Sequence, residues 1–308
     1  MVHSAEFFVI LNEYEDEEVI KLVEDKEVYR KESMTIVVRK TKIGNRKITR
    51  LHLFVDFILL LQKSDINLDD IAEIMNRLDI EVMSLLNREY KLILSRLDYR
   101  YDIRIENEDE RKLIIKLLKK GIKKSSYMKK ITKYKTTVRY FSKSRCDNIY
   151  DKEIERLAKG KEVKKYEKGI FRFEAQIKNE HLKYRNKKQG IDRSFEKYFT
   201  YEMYKYYMDT MIIKVVGKGD FYCLREAEKI IEIADIKDKY KKELREFLIY
   251  TSIKRCLSKT KDKYGRYKYK KYINILEGLG INPIIIPEKW RVKKIENPLR
   301  ELINIVDE

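Results

Sequence analysis

Leu92-Ile93-Leu94-Ser95-Arg96-Leu97-Asp98-Tyr99-Arg100-Tyr101-Asp102-Ile103-Arg104-Ile105 is the stretch whose pattern decides the fold. Its odd positions Ile93, Leu97, Tyr99, Tyr101, Ile103 and Ile105 are apolar, while Arg96, Asp98, Arg100, Asp102 and Arg104 are charged. Side chains alternate across a β-strand, so the spacing predicts a strand with one face on a core and the other charged. Two carboxylates among guanidiniums can hold a divalent cation and a phosphate together. Asp98 and Asp102 are about 13 Å apart along an ideal strand, too far to share one ion unless a bulge intervenes. One would then ligate while the other orients a neighbour. The plainer alternative is a solvated face of cross-strand ion pairs.

Outward from this strand, segments 5–12, 34–42 and 47–55 read as strands, the last two joined by a Gly44-Asn45 turn. Helical spacing of Ile71, Ile74, Met75, Leu78, Val82, Leu85 and Leu86 predicts a helix over 68–88. Asn107 caps a second helix running to about residue 124. Strands are expected at 131–142, 147–152 and 169–178, with a short helix at 153–160. After residue 192 only helices are expected, at 193–212, 223–233, 238–258 and 264–278. The reading is α+β: a domain over 1–190, then a smaller helical domain over 191–308.

The chain has 308 residues, with 70 Lys and Arg against 51 Asp and Glu, a net charge of +19. That field favours polyanions, nucleic acid before an anionic membrane, although a Lys-rich proteome from an AT-rich genome gives the same bias. Three separated cysteines make no CxxC and no disulfide framework. Met1 to Glu6 begins no signal peptide, and the apolar run 51–61 is too short to cross a bilayer. A soluble cytoplasmic protein with no membrane association is expected.

The strand at 169–178 repeats the arrangement, with Phe171, Phe173, Ala175 and Ile177 opposite Arg172, Glu174, Gln176 and Lys178. Between the two strands, Tyr150 and Lys152 fall about 7 Å apart on one face of a short strand. A phenol is a poor nucleophile until a cation stabilises its phenolate. Tyr150 is nevertheless one of 23 tyrosines. His3, His52 and His181 form no metal-binding pattern, and His52 reads as a sheet or core residue. Any metal would therefore take carboxylate oxygens, which suits Mg²⁺ or Mn²⁺. No nucleotide-binding motif is present, so no nucleotide cofactor is expected.

Three ordered segments, Arg96-Leu97-Asp98-Tyr99-Arg100-Tyr101-Asp102, Ile149-Tyr150-Asp151-Lys152-Glu153-Ile154-Glu155 and Phe171-Arg172-Phe173-Glu174-Ala175-Gln176-Ile177-Lys178, resemble one family. It is the rolling-circle replication initiators of the Rep-trans type, with the related gene II/X replication proteins of filamentous phages. The likeness spans about residues 90 to 180, and Tyr140-Phe141-Ser142-Lys143-Ser144 resembles the family's approach to its tyrosine, a few residues shorter. The resemblance implies a five-stranded antiparallel sheet with flanking helices, rolling-circle nuclease-like but without the histidine pair. It implies Tyr150 as nucleophile, Lys152 as its cationic neighbour, and Asp98, Asp102 and Glu174 as candidate metal ligands. Arg96, Arg100 and Arg172 become phosphate contacts. The implied activity is metal-assisted nicking and closing of origin DNA at a plasmid or phage origin. A 5′-phosphotyrosine forms, a 3′-hydroxyl is left as primer, and host helicase and polymerase are the implied partners. A homodimer is compatible with this reading.

Two further stretches suit DNA. Lys119 to Lys135, including Lys123, Lys124, Lys129 and Lys130, can follow a phosphate backbone or simply end a helix, where lysines favour the dipole. Lys263, Arg266, Lys268, Lys270 and Lys271 alternate with tyrosines after a short turn, as in a helix-turn-helix module, although half of those tyrosines can be core. The competing function is a non-catalytic basic DNA-binding regulator.

Overall fold

The computed structural model describes all residues except 13, 26–28, 44–45, 122–127 and 132. The Gly44-Asn45 turn, Lys123 and Lys124 thus lie outside the described residues. The strands are β1 (Val2–Leu11), β2 (Tyr29–Arg30), β3 (Met34–Ile43), β4 (Arg46–Asp56), β5 (Ile93–Arg104), β6 (Lys129–Ile131), β7 (Thr137–Phe141), β8 (Arg145–Asp151), β9 (Ile170–Lys178), β10 (Phe221–Tyr222) and β11 (Lys294–Ile295). The helices are α1 (Glu17–Asp25), α2 (Phe57–Leu61), α3 (Ile71–Leu86), α4 (Glu108–Leu118), α5 (Lys152–Ala158), α6 (Asn179–Gln189), α7 (Tyr201–Tyr207), α8 (Lys214–Val216), α9 (Leu224–Ile233), α10 (Asp238–Lys254), α11 (Leu257–Gly278) and α12 (Arg300–Asp307).

Among the described residues, β1 to β9 form one nine-stranded sheet in the order β2-β3-β4-β1-β5-β9-β8-β7-β6. The class is α+β as expected, but five strands is a wrong count. The stretch expected as one strand at 131–142 divides into β6 and β7 at the turn after residue 132, and β2 adds a short edge. The β1–β5 pairing is antiparallel and shifts register between Glu6 and Phe7, so Arg96 faces Glu6 while Leu94 faces Phe7. That bulge buries Leu94 and ends the odd-position alternation above Leu97.

The chain forms two compact units, Met1–Arg100 with Lys143–Cys146 and Glu174–Lys205, and Tyr101–Ser142 with Asp147–Phe173 and Tyr206–Glu308. Both draw on sequence from either side of residue 190. In the first unit the apolar sides of β1, β3 and β4 bury Phe7, Val9, Ile36, Leu51 and Leu53. Phe195 fills that core, its ring 5.7 Å from Phe7, 5.3 Å from Phe57 and 5.1 Å from Phe199. Asp56 ends β4 and accepts from the Leu59 amide at 3.1 Å, capping α2.

In the second unit α9, α10 and α11 bury Ala227, Ile231, Leu244, Phe247, Leu248, Tyr272 and Leu276 together. Helix α11 is two helical runs meeting at Gly265, whose φ of 71° and ψ of 163° lie outside any helix. The region after 192 also holds β10 and β11, where only helices were expected. No helix among the described residues is long and apolar enough to cross a membrane.

Candidate active site

Tyr150 comes near the end of β8 and is 9% exposed. The strand stops one residue later because Asp151 caps α5, its Oδ1 accepting from the Ile154 amide at 3.1 Å. Lys152 is therefore the first residue of a helix, whereas the sequence reading places it on the strand. Its ammonium still lies 6.0 Å from the centre of the Tyr150 ring. Glu155 at 3.0 Å and Glu167 at 3.9 Å hold that ammonium in place.

The anchor of this segment went unrecognised in the sequence. Arg111, on α4, donates from Nε to the Asp151 carboxylate at 2.6 Å, with both side chains buried. The same guanidinium donates to the Ile105 carbonyl at 2.6 Å and to Glu153 at 3.1 Å. A buried carboxylate that caps a helix and takes a guanidinium fixes where β8 ends. Its only sequence signal was an arginine just past the acidic first turn of a predicted helix.

Also in the second unit, Arg172 donates from two nitrogens to the two oxygens of Asp102, each at 2.7 Å. This fork-to-fork pair is the strong form of the interaction. Tyr140 is fully buried, and burial, then the charge of Asp147, pushes its phenol far above the ordinary value. A phenol held in its neutral form is a poor nucleophile.

In the first unit, Asp98 is 1% exposed and accepts from Ser4 Oγ at 2.8 Å and from Arg96 Nε at 2.9 Å. A second Arg96 nitrogen completes the fork, and a third donates to Glu6 at 2.6 Å. Asp98 and Asp102 thus engage different guanidiniums. Arg100 is buried and donates to the Ser64 carbonyl at 2.5 Å and to Asp65 at 3.1 Å. Glu174 has the His3 Nε2 3.5 Å from its Oε1.

The donor sets bear on a metal directly. Among the described residues no group of three or more His, Cys, Asp and Glu side chains is placed to hold one. Asp98 and Asp102 give their oxygens to arginine forks, so in this arrangement they do not fit a cation. Glu174 fits better: a carboxylate oxygen and an imidazole nitrogen 3.5 Å apart match two donors on one ion. His3, set aside in the sequence reading, is the residue that this adds.

The basic stretches divide. Lys130 donates to the carbonyls of Lys119 at 2.5 Å and Gly121 at 2.6 Å, and Lys119 donates to the Tyr134 carbonyl at 2.6 Å. Lys130 thereby closes the C-terminal end of α4, whereas Lys129 is exposed. Along α11, Lys263, Arg266, Lys268 and Lys270 are exposed. Lys271 instead donates to the Tyr240 hydroxyl at 2.6 Å, and Tyr264, Tyr269 and Tyr272 pack into the helical core.

No protein-family model matches the chain, and no curated protein matches it.

Proposed function

We propose that this chain is a DNA nicking–closing enzyme that starts rolling-circle replication of a plasmid or phage, with Tyr150 as its nucleophile. The observation that carries the reading is the pairing of Tyr150 with the Lys152 ammonium at 6.0 Å, on a strand end locked by the buried Arg111–Asp151 pair. A cation near the phenol favours its phenolate, and the lock holds the phenol in one position.

In this reading Tyr150 Oη attacks a scissile phosphorus of origin DNA. The Oη–P bond forms as the P–O3′ bond breaks, and the phenol proton passes through solvent to the departing 3′ oxygen. The products are a 5′-phosphotyrosine and a 3′-hydroxyl primer, and the reverse exchange rejoins the strand. One phosphodiester replaces another, so no nucleotide cofactor is consumed. Mg²⁺ or Mn²⁺ would draw charge from the phosphate; within the first unit, Glu174 and His3 are the donor pair that suits such an ion. Arg96 and Arg172, already paired with carboxylates, orient those groups, and exposed Lys263, Arg266, Lys268 and Lys270 contact the duplex backbone. Strand separation and extension fall to a host helicase and polymerase in a bacterial cytoplasm.

The test is incubation with a supercoiled plasmid carrying the chain's own replication origin and Mg²⁺ or Mn²⁺. Relaxed circles with protein joined to a 5′ end are expected, and Tyr150→Phe should yield none. A Tyr150→Phe protein that still nicks overturns the nucleophile. Nicks without attached protein indicate hydrolysis, and a mobility shift without nicks indicates a non-catalytic regulator.

A further inference from the structure

A cavity of about 330 Å³ opens within the first unit. Phe8 and His52, cross-strand partners in β1 and β4, line it with ring centres 5.7 Å apart. Arg39 of β3 and Arg50 of β4 also line it and are direct cross-strand partners. Like charges placed opposite each other on a sheet repel.

Arg96 of β5, which also lines the cavity, has carboxylates in Asp98 and Glu6. Among the described residues, Arg39 and Arg50 make no ion pair. Arg39 lies over the Phe54 ring at 5.4 Å and Arg50 over the Phe8 ring at 4.9 Å. The Arg50 Nε is shut away from solvent with no hydrogen-bond partner. The lining carboxylates are already paired, Glu6 with Arg96 at 2.6 Å and Glu180 with Lys183 at 2.9 Å. Lys143 adds an exposed ammonium to the lining.

Two opposed guanidiniums without carboxylates suit a group with several anionic oxygens, and a phosphate matches their forks. Burial, then Arg39 and Arg50, hold the His52 imidazole down to about 4, so at neutral pH it adds a flat surface and no third positive charge. The volume is at the small end of ligand cavities, which start at about 300 Å³. It holds an organic body as well as an ion.

We propose that this cavity binds a phosphate ester of nucleotide size, its phosphate between Arg39 and Arg50 and its planar base against the half-buried His52 ring. The ester is either a free nucleotide or one unit of a DNA strand. The full-length protein is titrated calorimetrically with inorganic phosphate, thymidine monophosphate and the dinucleotide thymidylyl-thymidine. At least one ester should bind tenfold or more tightly than inorganic phosphate, and the tighter ester identifies the source. Arg39→Gln and Arg50→Gln should each weaken that binding at least tenfold. Tyr150→Phe should leave it unchanged, which separates this proposal from the nicking reading. If Arg50→Gln does not fold, Arg39→Gln carries the test alone. The proposal is overturned if neither ester binds at millimolar concentration, if inorganic phosphate binds as well, or if Arg39→Gln binds normally.

Discussion

Arg111 and Arg172 in the second unit and Arg39 and Arg50 in the first are all arginines of a strongly basic chain, yet they are used differently. Arg111 is buried against Asp151, and Arg172 spans both oxygens of Asp102. Arg39 and Arg50 face each other across β3 and β4, with aromatic rings and no carboxylate beneath them. The first kind of guanidinium is already satisfied and serves to fix a strand end or a carboxylate. The second kind keeps its capacity for an anion from outside. Net charge does not separate the two; the partner of each guanidinium does.

The contrast can be broken most sharply at Arg111. Removing one member of a buried ion pair strands the other, at a cost of about 3–5 kcal/mol. Arg111→Met should therefore lower the unfolding free energy by about that much in a denaturant titration, and a loss under about 1 kcal/mol would make Arg111 dispensable. Asp102→Asn should cost about 1.5–3 kcal/mol by the same measurement, since it keeps the shape and removes the charge from a bidentate pair.

Acidity tests two histidines of the first unit, His52 and His181. Burial, then neighbouring arginines, lowers His52 to about 4 and His181 to about 3. Unfolded histidines take up protons near pH 6.5, so between there and pH 4 the unfolded chain binds more protons than the folded one. The stability contributed by these rings is full above pH 6.5 and is lost as the pH falls toward their folded values. Thermal melts from pH 7 to pH 4 should show a falling midpoint, less steep in His181→Gln. The smallest effect is expected at Arg39→Gln, which relieves a like-charge pair and should raise stability by about 0.2–1 kcal/mol. A drop of similar size would mean that Arg39 has a partner in the folded chain.

The strand quoted first was legible because its alternation is local, and β5 lies where the alternation puts it. Its bulge was not, because the register shift is set by β1, some 90 residues earlier in the chain. Helix α1 carries Val19, Ile20 and Val23 at helical spacing and was there to be found. Helix α6, Asn179–Gln189, buries only His181 and Leu182, too little apolar periodicity to read. Tyr150 and Lys152 were found as a motif, but their support was not. Arg111 and Asp151 are 40 residues apart, and only the folded chain brings them together. His3 beside Glu174 is a contact of the same kind.

Gly265 divides α11 in a conformation that is strained for any residue with a Cβ, although nothing lies within 4 Å of where one would be. The constraint is thus on the backbone alone and not on packing. An unbroken helix would carry the direction of residues 257–264 on through Arg266, Lys268 and Lys270. With the break, those three side chains take their bearing from the second run, which Tyr272 and Leu276 pin into the helical core. The aim of the exposed cations is therefore inherited from buried apolar residues farther along the chain.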